Sequence, residues 1–164
     1  MSAALDWKHR PEVRVGISDL GLSRDPNGTV VTHALGSCIG VFIYDPVVKV
    51  GGCLHYMLPV AKGRQGNPAQ FADTGVPLLF EKAYALGATK SNLVVKVCGG
   101  AEMNADSDMF KIGKRNFTVL RKLFYRAGVV MAATDVGGHE SRTGRLYLDT
   151  GKLIVTKGGK EWEL

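Results

Sequence analysis

The sequence predicts an α+β fold, a layered sandwich of mixed, largely antiparallel β-sheet with two main helices. Three observations predict it. Short runs rich in Val, Ile, Phe, Tyr and Leu, each of strand length, crowd the first third and the last quarter of the chain. Two stretches with helical spacing of apolar residues, 73–86 and 112–126, lie between them. The resulting order is strands, helix, strand, helix, strands. It suits a layered arrangement better than a doubly wound sheet, which needs strict alternation.

The elements follow in order. Residues 12–22 carry Val13, Val15 and Ile17 in alternation, which predicts one strand. Asn27-Gly28, inside the turn cluster 24–29, is a hairpin signal, and 30–35 follows as a strand. The runs 37–44 and 49–57 flank Asp45-Pro46, a tight-turn pair, and predict two antiparallel strands. Residues 61–71 are polar and rich in Gly, Pro and Asn, so they form an exposed loop, well placed to meet a substrate. In the first helix Asp73 or Thr74 can cap, and Val76, Leu79, Ala83 and Leu86 share a stripe. A short strand at 92–97 runs into Cys98-Gly99-Gly100-Ala101, a glycine turn that either approaches a ligand or simply ends the strand. The second helix puts Ile112, Asn116, Val119, Leu120, Leu123 and Phe124 on one face. Lys111, Lys114, Arg115, Arg121 and Lys122 lie on the other, and Gly128 can stop it. Residues 129–135 form a buried strand, and 145–149 and 153–157 a hairpin about Thr150-Gly151.

The chain has 164 residues, enough for one domain with a real core, spanning 1–164. About ten residues at the start and about six at the end are expected to fray. No apolar run is long enough to cross a bilayer, so no membrane insertion is expected. The charged start lacks the apolar stretch of a signal peptide, and the three cysteines are an odd number, so the expected location is cytoplasmic. A net charge of +6 suggests an acidic partner. No Lys/Arg tract or RNA-binding signature appears, so nucleic acid is not expected.

The chemistry-bearing residues sit on the hairpin. If Asp45 faces Val48 across the turn, Cys38 faces His55, and directly opposed side chains share a face. A bulge at Gly51-Gly52 would break that register. Ile39, Val41 and Ile43 opposite Leu54, Gly52 and Val50 form the core face. Cys38, Gly40 and Phe42 opposite His55, Cys53 and Gly51 form the other. From these two residues alone, a buried structural cysteine beside a hydrogen-bonded histidine is the commoner outcome. His33 and His139 show no ligand spacing, and Cys38, Cys53 and His55 lack a fourth zinc partner, so neither metal nor cofactor is expected. A Cys38–Cys53 bridge is disfavoured because the two are diagonal neighbours in this register.

Five segments decide between these readings: ALGSCIGVFIYDP, KVGGCLHYMLP, KVCGGAEMN, IGKRN and DVGGHESRTGR. In this order, over nearly the whole chain, they resemble the CheD family of chemoreceptor glutamine deamidases of bacterial and archaeal chemotaxis. The resemblance implies a catalytic cysteine at Cys38, a histidine at His55 and a threonine at Thr32 as third member. Cys98 departs from the pattern, standing where the family more often has an aromatic residue. The implied substrates are glutamine side chains of methyl-accepting receptors, hydrolysed to glutamate. A CheC-type CheY-phosphate phosphatase is the implied second partner.

The expected mechanism follows from amide chemistry. Cys38 attacks as a thiolate whose pKa a neighbouring imidazolium lowers, His55 protonates the departing ammonia, and water hydrolyses the thioester. Thr32 orients the imidazole. Backbone N–H groups around Gly36, Ser37 and Cys38 serve the oxyanion, and Gly40 helps open the substrate groove. Two alternatives remain: an interaction module acting on the phosphatase or receptors without catalysis, and a cysteine hydrolase acting on another protein.

Overall fold

The computed structural model describes residues 7–103 and 111–164. Among the described residues, ten strands form two five-stranded sheets, and two helices cover one of them. The strands are β1 (Glu12–Val15), β2 (Asp19–Ser23), β3 (Thr29–Leu35), β4 (Ile39–Asp45), β5 (Val50–Tyr56), β6 (Val94–Gly99), β7 (Met131–Val136), β8 (Arg142–Tyr147), β9 (Leu153–Lys157) and β10 (Lys160–Glu163). The helices are α1 (Ala72–Ala85) and α2 (Ile112–Ala127). One sheet runs β1-β3-β8-β9-β10 and the other β2-β5-β4-β6-β7. Among these described strands, only β1–β3 and β6–β7 pair in parallel. The α+β sandwich of mixed sheets with two helices is therefore as expected.

Burial explains the layering. All of β4 and β5 is buried, because the second sheet is covered on both faces. Ile39, Val41, Ile43, Leu54 and Tyr56 pack against Val76, Leu79 and Phe80 of α1 and Leu120 and Phe124 of α2. On the opposite face Phe42, Tyr44, Cys53 and Cys98 meet Val30, Leu35, Leu146 and Leu153 of the first sheet. Each fully buried side chain of this size contributes about 1.5–3 kcal/mol.

Several local expectations are corrected. The predicted strand over 12–22 is two strands in different sheets, broken at Ser18 with φ 57°. Asn27-Gly28 closes a turn, with Gly28 N–H donating to Asp25 O, but no hairpin: β2 pairs β5 while β3 pairs β1 and β8. Neither Asp73 nor Thr74 caps α1. Asp73 Oδ1 accepts from Ala61 N and Thr74 Oγ1 donates to Pro68 O, so the side chains anchor the preceding loop instead. β7 is a half-buried edge strand with alternating exposure. The last residues are paired in β10, and Lys96 Nζ donates to the Leu164 backbone O. At the other end, Arg145 stacks 4.0 Å from the Trp7 ring centroid and Arg10 pairs Asp149 at 3.0 Å.

The turn after β6 packs against the chain itself. Gly100 N–H donates to Cys38 O and Ala101 N–H to Gly36 O, both at 2.8 Å. Gly99, at φ 112°, has no room for a Cβ, which would strike the Cys38 carbonyl oxygen. Gly113, in the first turn of α2, lies against the same turn: a Cβ there would meet the carbonyl oxygens of Gly100 and Ala101, the latter at 2.5 Å. Alanine outranks glycine in a helix by about 1 kcal/mol. Overpacking against rigid backbone costs about 1–3 kcal/mol. Gly113→Ala should therefore destabilise the protein, by up to about 2 kcal/mol, rather than stabilise it. A urea unfolding midpoint that rises in this variant would contradict the close packing.

Candidate functional site

The site lies where the chain crosses from one sheet to the other. β3 ends at Leu35, the loop Gly36-Ser37-Cys38 passes over the end of the sandwich, and β4 begins the second sheet at Ile39. All three loop residues are half-buried, so Cys38 can be reached from solvent.

The hairpin register differs from the expected one by two residues. Asp45 pairs Val50, and Gly40, not Cys38, lies directly opposite His55. The cause is the Asp45 side chain. Its Oδ1 accepts from Val47 N at 2.8 Å and Val48 N at 3.3 Å, its Oδ2 accepts from Thr89 N at 3.0 Å, and Lys49 closes the loop at φ 55°. Burial pushes the Asp45 carboxyl up, but these N–H bonds outweigh it and hold it below the ordinary range. A shift of two keeps every side chain on its face. Cys38 therefore remains on the His55 side, one step along the strand rather than directly across. No bulge forms at Gly51-Gly52, and the pairing is continuous. Cys38 and Cys53 are further apart along the strands than diagonal neighbours, and all three cysteines are free.

Thr32, on β3 of the first sheet, meets His55, on β5 of the second. Both are fully buried. Thr32 Oγ1 donates its single hydrogen to Val15 O at 2.7 Å. The 2.7 Å contact between Oγ1 and His55 Nδ1 is then a bond in which Nδ1–H donates and the hydroxyl accepts. This assignment fixes the tautomer and leaves a lone pair on Nε2, which is buried without a hydrogen-bond partner among the described residues. Nε2 is thus left able to accept a proton or a hydrogen bond.

Electrostatics correct the expected ion pair. Burial pushes His55 down to about 4, so at neutral pH the imidazole is uncharged. Burial pushes the Cys38 thiol up, only partly opposed by its own backbone N–H. The resting pair is neutral thiol and neutral imidazole, because neither charge is well solvated there. The linkage has a definite sign. The unfolded histidine takes up a proton near 6.5, while the folded one resists until about 4. The stability this provides is complete above about pH 6.5 and is lost as pH falls toward about 4. A shift of this size corresponds to roughly 3 kcal/mol at most. Urea unfolding at about pH 7 and about pH 5 should show a drop of roughly 2 kcal/mol, absent in His55→Gln.

Other candidates fall differently. Gly40 is buried, and the space a Cβ would take is faced by Leu35 and Phe42, so it opens no groove to solvent. Gly36 lies under Met103, whose Cγ is 3.1 Å from the position of a Cβ. The glycine turn 98–101 approaches the Cys38 loop rather than a ligand. A groove of about 520 Å³ runs between residues 58–64 and the first turns of α2, next to Met57 and Asn116 in the chain, and Asn116 bonds both Met57 O and Ser37 O. Lys62, Arg64, Lys114 and Arg115 line it with Leu58 and Pro59.

The structure thus offers a half-exposed thiol on the loop that joins the sheets and a buried Thr–His pair that bridges them, within an α+β sandwich. The chain belongs to the CheD family. The family described as CheD chemotactic sensory transduction matches residues 57–157. A probable chemoreceptor glutamine deamidase CheD 1 of Syntrophus aciditrophicus is 48% identical, over 90% of this chain and 95% of the relative. A probable chemoreceptor glutamine deamidase CheD of Solibacter usitatus is 44% identical over 93% of each. Its counterpart in Pyrococcus horikoshii is 44% identical over 89% of this chain and 92% of the relative. A solved Neisseria meningitidis protein of the DUF152 family aligns with 82% of this chain and 65% of its own, at TM-score 0.48 and 11% identity. No helix among the described residues is long and apolar enough to cross a membrane.

Proposed function

We propose that this protein hydrolyses glutamine side chains of methyl-accepting chemotaxis receptors to glutamate, with Cys38 as nucleophile. The observation that carries the reading is the buried Thr32–His55 contact, which leaves Nε2 free as a base behind a thiol open to solvent. The names of the relatives supply the substrate class.

His55 Nε2 takes the thiol proton as Cys38 Sγ attacks the side-chain carbonyl. The oxyanion is met by the backbone N–H groups of Ser37 and Cys38. The imidazolium gives its proton to the amide nitrogen, ammonia leaves, and a thioester remains. Water then attacks while Nε2 accepts its proton, the C–S bond breaks, and the proton returns to sulfur. Starting from a neutral pair costs nothing in buried charge until the reaction begins. Thr32 keeps Nδ1 protonated throughout, so Nε2 is always the atom that exchanges protons.

The substrate is a helix of a larger protein in the cytoplasm, and the cationic groove beside the site receives its acidic side chains. Lys62→Glu with Arg115→Glu should raise KM about tenfold, leave kcat unchanged and flatten the salt dependence of kcat/KM. Initial rates across a salt series check this. A CheC-type phosphatase engages the same end of the sandwich and competes with receptor. Tandem mass spectrometry of receptor cytoplasmic fragments tests the reaction: glutamine converted to glutamate with an intact backbone supports it, and cleaved backbone indicates a peptidase.

A further inference from the structure

Three consecutive carbonyls of the Cys38 loop are each held by a different donor. Gly36 O accepts from Ala101 N at 2.8 Å, Ser37 O from Asn116 Nδ2 at 2.9 Å, and Cys38 O from Gly100 N at 2.8 Å. The outer two donors are backbone groups of one turn. The middle one is a side chain, and it comes from α2. A trans peptide is planar, with its N–H directed opposite to its C=O. Holding the Ser37 carbonyl therefore aims the Cys38 N–H, the group that lies beside its own sulfur.

Asn116 is fully buried. Its Nδ2 also donates to Met57 O at 2.8 Å, one residue beyond β5, and its backbone carbonyl accepts from Tyr56 OH at 2.8 Å. One amide thus joins the nucleophile loop to the strand that carries His55. Its orientation is settled, because the opposite flip would set an oxygen against two carbonyls. Oδ1 is left buried with no hydrogen-bond partner among the described residues, which is a cost in stability. Leucine would fill this position in the helix's apolar stripe without that cost. Packing alone does not account for an asparagine here.

The geometry points to Asn116 as a positioning residue that aims the Cys38 N–H at the oxyanion formed when the thiol attacks a carbonyl. The inference rests on the reading of Cys38 as an acyl-transfer nucleophile, but not on which protein supplies the amide. Asn116 touches neither substrate nor reacting atoms. A donor aimed at the tetrahedral oxygen acts only in the transition state, so its loss lowers kcat without raising KM.

The test compares wild type with Asn116→Leu and Asn116→Ser in three assays: turnover of a receptor fragment, acylation of Cys38 by p-nitrophenyl acetate, and its alkylation by iodoacetamide. Alkylation forms no oxyanion. Both kcat and the acylation rate should fall about 10–100-fold. KM and the alkylation rate, with its pH dependence, should stay within about twofold. Asn116→Ser keeps one donor and serves if Asn116→Leu does not fold. Undiminished acylation in a folded variant overturns the inference. So does an alkylation rate that falls in parallel with acylation, since that marks a merely structural role. If wild type acylates but leaves receptor glutamine untouched, the substrate reading fails, while a selective acylation defect in the variants still upholds the inference. If wild type deamidates and the variants match it, the inference alone fails.

Discussion

Cys38→Ala is expected to lower glutamine deamidation on the order of 10³-fold or more, with little change in stability. The side chain is half-exposed at the margin of the inter-sheet cluster, so it has only partial packing to lose. Cys53→Ala and Cys98→Ala should show the opposite pattern. Both thiols are buried in the layer between the sheets, where truncation costs about 1–2 kcal/mol, and neither lies in the loop that faces solvent. Burial also pushes both thiols up, Cys98 to about 12, so they offer little thiolate to a substrate. Measuring receptor-fragment turnover and urea midpoints for the three variants together separates the nucleophile from the packing cysteines. Turnover that survives in Cys38→Ala would leave a binding module as the better description.

His55→Gln is expected to cost about 10²–10⁴-fold in kcat, the usual worth of a positioned acid–base group. Thr32→Val probes the same imidazole from behind. It removes the acceptor of Nδ1–H and leaves a buried donor unpaired, at a cost of about 1–3 kcal/mol. It also frees the ring to move its hydrogen to Nε2, which then cannot accept the thiol proton. Thr32→Ser keeps the hydroxyl and should restore most of the activity. Should Thr32→Val keep wild-type activity while Thr32→Ser loses it, the hydroxyl does not orient the histidine, and packing of the methyl group explains the position instead.

Strand identity and facing were legible because alternation fixes which side chains share a face, and that survives a shift of two. The register itself was not, because the side chain of Asp45 sets the loop length by taking Val47 and Val48 N–H. The break at Ser18 was hidden because Val13, Val15 and Ile17 alternate straight across it while the chain changes sheets. Periodicity said nothing of Thr32 beside His55: their contact crosses from one sheet to the other, and only the likeness to a known family suggested it. Charge was misjudged for a related reason. An imidazolium next to a thiol is plausible on paper, but the depth at which both sheets cover His55 decides against it. Asn116 did leave a signal, as the one polar residue in the apolar stripe of α2, although its partners were out of view.

The most direct measurement is acid quench of a single turnover on a receptor helix peptide, followed by tandem mass spectrometry of the Cys38-containing peptide. The expected result is a thioester joining Cys38 to the former glutamine side chain, formed with loss of ammonia and absent in Cys38→Ala. Glutamate accumulating at the wild-type rate in Cys38→Ala, with Cys38 never modified in the native chain, would contradict it.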